Sequence, residues 1–446
     1  MQQKQKLGIN FGFRGWMLLI FEITAFLLFQ AFTNFPMNML ADVFGGEGGS
    51  AAMSPIYTVG MLVGIVIQLI LANFVGKMKM SVKTMTLIFG ALTLVTALGV
   101  AALKPGTLWT VCWFLVCVFS VIYGMFGIGI IIGQWFPTRK GVFMGIATFA
   151  FPICNGLMGP FAGIVFNPEH LAAHHFPNIF GGFLPFLIVG LVGWLLGLIF
   201  VKDYPEQVGC FRDNDKSFTK EKADAMMMAE IENKKTTVWK LGPTLKSGQF
   251  WLITIPMGAL LGCSVGAMTQ TTQIFAGNGL ADKFEMLMGM VMIFALIGSY
   301  VLGVIDDKFG TKTAITISVV IMLLAGVLGA IGGKAMIPGI ILLAIFMGAG
   351  SNFTVSGAAK YWRREDFPSV FAVVNPIANV LQCAGPMMFA MLIGMVSVKA
   401  PFIATVVISV ITLIMIICFN PAKLKATDNK YRAAAGKLVE EVPADK

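Results

Sequence analysis

Residues Lys202 to Lys246 read KDYPEQVGCFRDNDKSFTKEKADAMMMAEIENKKTTVWKLGPTLK. This stretch holds 17 of the chain's 54 charged residues, nine basic and eight acidic, in about a tenth of the length. Six long apolar runs precede it and six follow, broken only by short polar turns. The stretch therefore reads as a linker between two bundles of six hydrophobic helices. Inside it, Thr219 is placed to cap a helix running to Lys235, and Met226, Met227 and Met228 are available to a membrane surface or to the bundle.

Composition agrees. The chain is 57% hydrophobic and 12% charged, with a mean hydropathy of +0.82, where soluble domains carry about 25% charge. A spanning helix needs roughly 20 apolar residues. The runs are continuous rather than alternating, which excludes a barrel. The expected spans are 14–37, 53–75, 84–103, 108–134, 141–166, 179–201, 248–275, 284–305, 313–332, 336–359, 368–393 and 399–419. The run from Trp16 to Pro36 is too long for a signal-peptide core and stays as the first span. With the N-terminus in the cytoplasm, 28 of the 32 basic residues fall inside, leaving Lys104, Lys283, Lys334 and Lys399 outside. This positive-inside pattern places both termini in the cytoplasm and turns the net charge of +10 into a topology signal, not a nucleic-acid footprint. The expected organisation is an all-α membrane protein of twelve transmembrane helices: a six-helix bundle over 1–201, a cytoplasmic linker over 202–246, a second bundle over 247–419 and a polar, mobile tail over 420–446. No cysteine pair has metal or redox spacing, and His170, His174 and His175 share one outside loop. No metal and no cofactor is expected.

The halves look repeated. Lys79 to Thr84 after the second helix corresponds to Lys308 to Thr313 after the eighth, offset by 229. Val142-Phe143 corresponds to Val370-Phe371 and Gly159-Pro160 to Gly385-Pro386, with offsets drifting to 226. Helix order repeats, and paired six-helix repeats are a known way to build a transporter with its site between rocking halves.

Gly303, Asp307, Gly310 and Lys312, in GVIDDKFGTK, resemble the signature of the major facilitator superfamily in the turn between helices eight and nine. The copy between helices two and three departs from it, with Met78 at the Asp and Ser81 at the second Gly. The resemblance covers roughly residues 12 to 420. It implies a gating latch built on Gly303, Asp307, Gly310 and Lys312, with Arg139 in the turn before helix five. Gln134 to Gly141 (QWFPTRKG) is similar to that turn in the oxalate/formate exchanger and monocarboxylate porter branch. Asn155, Gly159, Pro160 and Gly163 lie in a stretch similar to the exchanger motif of helix five, with Asn155 where the pattern has Gly. Packing and a bend are the plainer reading of the same residues. Porters of that branch are expected to hold a carboxylate with a cation in helix eight or eleven, and both runs here lack Lys and Arg.

The resemblance also implies that helices 1, 4, 7 and 10 line the pathway. Their polar residues supply the candidates: Glu22, Gln30 and Thr33, then Tyr123, then Gln270, then Asn352 and Ser356. Glu22 and Thr33 lie within about 20° on the helical wheel. Singly, each residue reads as an interhelical hydrogen bond; together, the arcs read as a cavity lining. Glu22 is the acidic residue set deep inside a span, about 12 Å from its cytoplasmic end. An isolated charge there costs several kcal/mol. It is either structural, ion-paired with Arg14 or Lys360 or holding its proton permanently, or functional, exchanging a proton as the cavity opens to the cytoplasm or holding a cationic group of the solute.

The expected function is secondary active transport of a small organic solute, an organic acid or monocarboxylate among the candidates, by alternating access with proton coupling or exchange against a counter-solute. The alternative is a transporter-like sensor or scaffold without flux. No intramembrane catalytic arrangement appears, so an enzyme is not expected. The partners are the solute, protons or counter-solute and the lipid bilayer, not nucleic acid. The protein is expected to be a monomer in the plasma membrane.

Overall fold

A computed structural model describes residues 11–46, 49–76, 80–136, 140–215, 217, 219–235, 237–350, 352–363 and 366–437. Among them every regular element is helical. The spans are α1 (Gly12–Met39), α2 (Gly49–Gly76), α3 (Val82–Ala102), α4 (Thr107–Trp135), α5 (Lys140–Ala147, Ala150–Gly156 and Met158–Val165), α6 (Ile179–Phe200), α7 (Gly248–Met268), α8 (Phe284–Phe309), α9 (Thr311–Ile331), α10 (Met336–Gly350 and Asn352–Tyr361), α11 (Phe367–Met395) and α12 (Ala400–Cys418). The twelve expected runs are all present. α1, α4 and α7 are mostly buried, whereas α6 and α12 turn most of their surface outward. That outward face is apolar, as with Ile188, Val192 and Leu195 on α6 and Ile403, Val407 and Ile414 on α12, and suits contact with lipid.

Three helices depart from straight runs. α5 bends by 42° between its second and third segments. Its two breaks, at Thr148 and at Gly156–Leu157, sit four residues before Pro152 and Pro160, where each ring removes the donor that would close the turn. α4 contains a π-helical turn, Ile122–Gly127, which carries Tyr123. α7 ends at Met268 and resumes as Thr271–Gly277. The Met268 carbonyl is taken there by Asn38 Nδ2 of α1 at 2.9 Å and by Thr271 Oγ1 at 3.4 Å.

The two-fold repeat holds at the level of a single lysine pair. Lys83 at the start of α3 donates its ammonium to the Leu198 carbonyl near the end of α6 (2.8 Å). Lys312, 229 residues on, donates to the Phe419 carbonyl beyond α12 (2.7 Å). Each stabilises the negative end of the sixth helix in its half. The caps beside them differ. Asp203 accepts from Val82 N and Lys83 N (3.1 and 2.7 Å), whereas Tyr361 Oη accepts from Lys312 N (2.9 Å).

Across the molecule α2 packs along α11 and α5 against α8. Within the C-terminal half α7 and α11 touch backbone to backbone. Gly258, Gly262 and Gly266 recur every fourth residue, and a Cβ on Gly262 would fall 2.6 Å from the Leu381 carbonyl.

Outside the membrane, Lys220–Lys235 is helical, and Thr219 Oγ1 accepts from Lys222 N at 3.4 Å as the cap. The tail differs from the mobile segment expected. Pro421–Ala434 is a helix capped by Asn420, with Leu424, Asp428 and Arg432 buried at successive turns. Its polar composition hides a docking face because two of the three docked residues are charged and find partners. The cysteines differ in burial: Cys418 is exposed on α12, Cys112 and Cys210 are half-buried, and the other four are buried. Burial pushes the Cys210 thiol of the linker above its ordinary value, with Arg14 opposing the shift.

Candidate solute site between the halves

The end of the bundle away from the linker is closed by neutral hydrogen bonds between the halves. Asn38 of α1 donates to the Met268 carbonyl, accepts from Thr271 Oγ1 (2.8 Å) and offers its own carbonyl to Thr272 Oγ1 (3.0 Å). Ser50 at the start of α2 donates to Gln270 Oε1 (2.8 Å) and accepts from Gln273 Nε2 (2.6 Å). Thr58 donates to the Cys383 carbonyl of α11 (3.0 Å). Gln270 thus belongs to a closed seam.

Beneath the seam lie two small cavities of about 20 Å³ each, lined from both halves. The upper one touches Gln30, Thr33, Asn34 and Tyr57 from the first half and Ser264, Met268, Met347 and Gln382 from the second. The lower one touches Phe26, Met125 and Gly129, and then Thr354, Asn375, Asn379 and Gln382. Gln30 and Thr33 line this upper cavity. Thr33 also donates to the Phe29 carbonyl within its own helix (2.8 Å).

α11 contributes what the helix-by-helix reading missed. Asn375, Asn379 and Gln382 are buried, and Asn375 Nδ2, Asn379 Nδ2 and Gln382 Oε1 have no hydrogen-bond partner among the described residues. Buried amides without partners are costly unless something binds them. Their spacing, i, i+4, i+7 in an apolar run, is visible in the sequence, on a helix outside the set 1, 4, 7 and 10.

The other candidates scatter. Glu22 is fully buried, both carboxylate oxygens lack a partner, and it borders none of the cavities described. Neither Arg14 nor Lys360 reaches it. Phe26, one turn further along α1, does line the lower cavity. Tyr123 is buried, with its hydroxyl unpartnered and its ring edge-on to Phe21 at 5.9 Å. Asn352 and Ser356 line a separate, larger cavity nearer the linker. There Asn352 Oδ1 accepts from Thr148 Oγ1 of α5 at 3.3 Å.

Of the helix-five residues, Asn155 and Gly159 sit on the interface between halves. Asn155 accepts from Asn34 (2.9 Å) and donates to Met347 Sδ (3.4 Å). A Cβ on Gly159 would meet Glu285 of α8 at 3.3 Å. Pro160 accompanies the bend, and Gly163 has open space beside it.

At the linker end, Arg139 and the side chain of Asp307 lie outside the described residues. The neighbouring Asp306 is the carboxylate seen engaged: it accepts from Thr311 Oγ1 (2.5 Å) and lies 3.9 Å from Lys360 Nζ, which also donates to its carbonyl (3.0 Å). Gly310 takes a φ of +94°, which glycine adopts without strain, and lets α8 turn into α9. Gly303 faces open space in the larger cavity.

Two solved structures share this architecture. One is the transporter FucP in its outward conformation, with a TM-score of 0.60 and 12% identity over 90% of this chain and 98% of that one. The other is the human organic anion transporter MFSD10 (TETRAN), with a TM-score of 0.62 and 12% identity over 91% of this chain and 100% of that one. No curated protein matches the sequence. The family model described as Major Facilitator Superfamily matches residues 127–359 and 281–442. With twelve spans in two repeated bundles around a polar centre, the chain belongs to the Major Facilitator Superfamily, a family of multi-pass membrane carriers rather than enzymes.

Proposed function

We propose that this protein is a secondary active transporter of a small organic acid, held between the halves by neutral amide donors and moved by alternating access. Asn375 Nδ2 and Asn379 Nδ2 carry the reading. They are adjacent on one face of α11, buried, unpartnered and turned to the same cavity. Two N–H donors without a cation suit a carboxylate or carbonyl oxygen, and Gln382 Oε1 supplies an acceptor for a hydroxyl or a carboxylic proton. This keeps the oxalate/formate and monocarboxylate branch as the nearest functional analogy, with amides in place of the missing helix-eight and helix-eleven cation. A monoanion, or an acid carried with its proton, fits such a site better than a dianion. Glu22 is the proposed coupling residue, with exchange as the alternative mode. Both termini face the cytoplasm in this reading, and the protein works as a monomer in the plasma membrane.

The cavities in this conformation hold about one water each, so solute enters only as the halves part. Purified protein in liposomes should show counterflow of a labelled monocarboxylate. Asn379→Leu removes the amide donor while keeping the side-chain branching and is expected to raise the KM of that exchange about tenfold, the loss of one buried hydrogen bond. An unchanged KM in Asn379→Leu and in Asn375→Leu would sink the amide site. Binding without flux in the unaltered protein would favour the sensor.

A further inference from the structure

The largest cavity described, about 440 Å³, is not the central one. It lies in the linker half of the bundle between α1, α5, α8 and α10. Its volume falls in the range of small-molecule pockets. Its walls are mainly apolar, with Trp16, Phe149 and Val304 among them.

Two features say where it opens. Tyr300 lines the cavity and is 72% exposed. It lies on the same outward stripe of α8 as Ile293, Ile297 and Val301, all exposed apolar residues. Trp16, four residues into α1, lines the cavity and is also exposed. Tyr300 is nine residues, roughly 14 Å, from the end of α8. The mouth thus faces the hydrocarbon of the bilayer.

Two further features say what it takes. Ser299 is 4% exposed and its hydroxyl has no partner, and the Ser356 hydroxyl across the cavity is likewise buried and unpartnered. Among the described residues the lining has no Lys or Arg, and the one lysine beside it, Lys360, is taken up by Asp306, so an anionic head group is not favoured. Asp306 is already engaged by Thr311 and Lys360, so a cationic head group is not called for either.

We propose that this cavity is a second binding site, fed from the bilayer, for an uncharged single-chain amphiphile whose hydroxyl or carbonyl head meets Ser299 and Ser356. The proposal does not depend on the central site or on flux.

The test is photolabelling of the full chain in lipid nanodiscs with the diazirine alcohol 3-azioctanol. Label is expected on 146–149 and 299–304. Octanol should compete at least tenfold better than octanoate or octyltrimethylammonium. Gly303→Leu places its side chain in open space, and a Cβ at Gly145 meets nothing closer than Asn352 Nδ2 at 3.9 Å. Either filling should reduce the label there at least tenfold while leaving the label on lipid-facing Ile403 unchanged. Gly145→Leu serves if Gly303→Leu does not give a monodisperse protein. Equal labelling at Ile403, label insensitive to filling, or octanoate competing as well as octanol would overturn the site.

Discussion

Arg432→Ala should destabilise the C-terminal half by about 3–5 kcal/mol, the cost of breaking a buried ion pair from one side. Arg432 is the hub of a cluster joining segments far apart in sequence. Its guanidinium bonds Asp366 at the α10–α11 turn and, through Nε, Asp428 one turn back on the tail helix (3.1 Å). Asp428 also accepts from Arg363 Nε (3.0 Å) and Trp239 Nε1 (2.8 Å), and Asp366 from Thr237 Oγ1 (2.5 Å). The side chains of Arg432 and Asp366 are 4% and 1% exposed. Alanine would take the guanidinium away from the desolvated Asp366 carboxylate, while Asp428 would keep Arg363 and Trp239. Thermal unfolding in detergent should show the loss, and limited proteolysis should now cut near residues 237 and 428. Lys430→Ala, on the exposed face of the same helix, should stay within about 0.5 kcal/mol of the unaltered protein. An Arg432→Ala protein that melted with the unaltered one would mean that the tail is not docked in the membrane-embedded protein.

Glu22→Gln should abolish solute accumulation driven by a pH gradient while leaving exchange at equal concentrations within about twofold. Glutamine matches the protonated acid in shape and neutrality but cannot release a proton. Its site asks for neutrality in this conformation: the carboxyl is fully buried and has no partner, and an isolated charge there costs several kcal/mol. Opening of the halves toward the linker would bring water to it. A one-to-one proton coupling supports about tenfold accumulation per pH unit; the variant should only equilibrate, to a ratio near one. Accumulation persisting in Glu22→Gln would assign coupling elsewhere and leave exchange as the better reading.

Much of the fold was legible because the bilayer makes a simple demand: an apolar run of sufficient length, ended by turns. The bend at Gly159-Pro160 of α5 was legible too; the break before Pro152 was not read, although its ring removes a donor in the same way. The tail was not. Its docked residues, Leu424, Asp428 and Arg432, make a face only in the company of Asp366 and Arg363, some 60 residues upstream, and charged residues otherwise read as solvated. At the α8–α9 turn the motif pointed to Asp307, whose side chain lies outside the described residues; the pairing of the neighbouring Asp306 with Thr311 and Lys360 depends on helix rotation, which the motif does not carry. The amides of α11 were readable by spacing. Their lack of partners was not, because an unpartnered atom is a property of the surrounding helices. The larger cavity was invisible for the same reason: Gly145 and Gly303 leave space only because nothing else fills it.

The seam at the far end has a consequence for how the protein meets its two solutions. Asn38, Ser50, Thr58, Gln270, Thr271, Thr272 and Gln273 close it without a formal charge. Electrolyte screens interactions between charges over a Debye length of roughly 8 Å at physiological strength and has little purchase on neutral hydrogen bonds. Water competes with those directly. At the linker end, Lys360 is part-exposed where it faces Asp306, so that contact does weaken in salt. The far seam is therefore expected to respond to how much free water bathes it, and the Asp306–Lys360 contact, which lies within the C-terminal half, to how much salt, so osmolyte and electrolyte act at opposite ends of the same carrier.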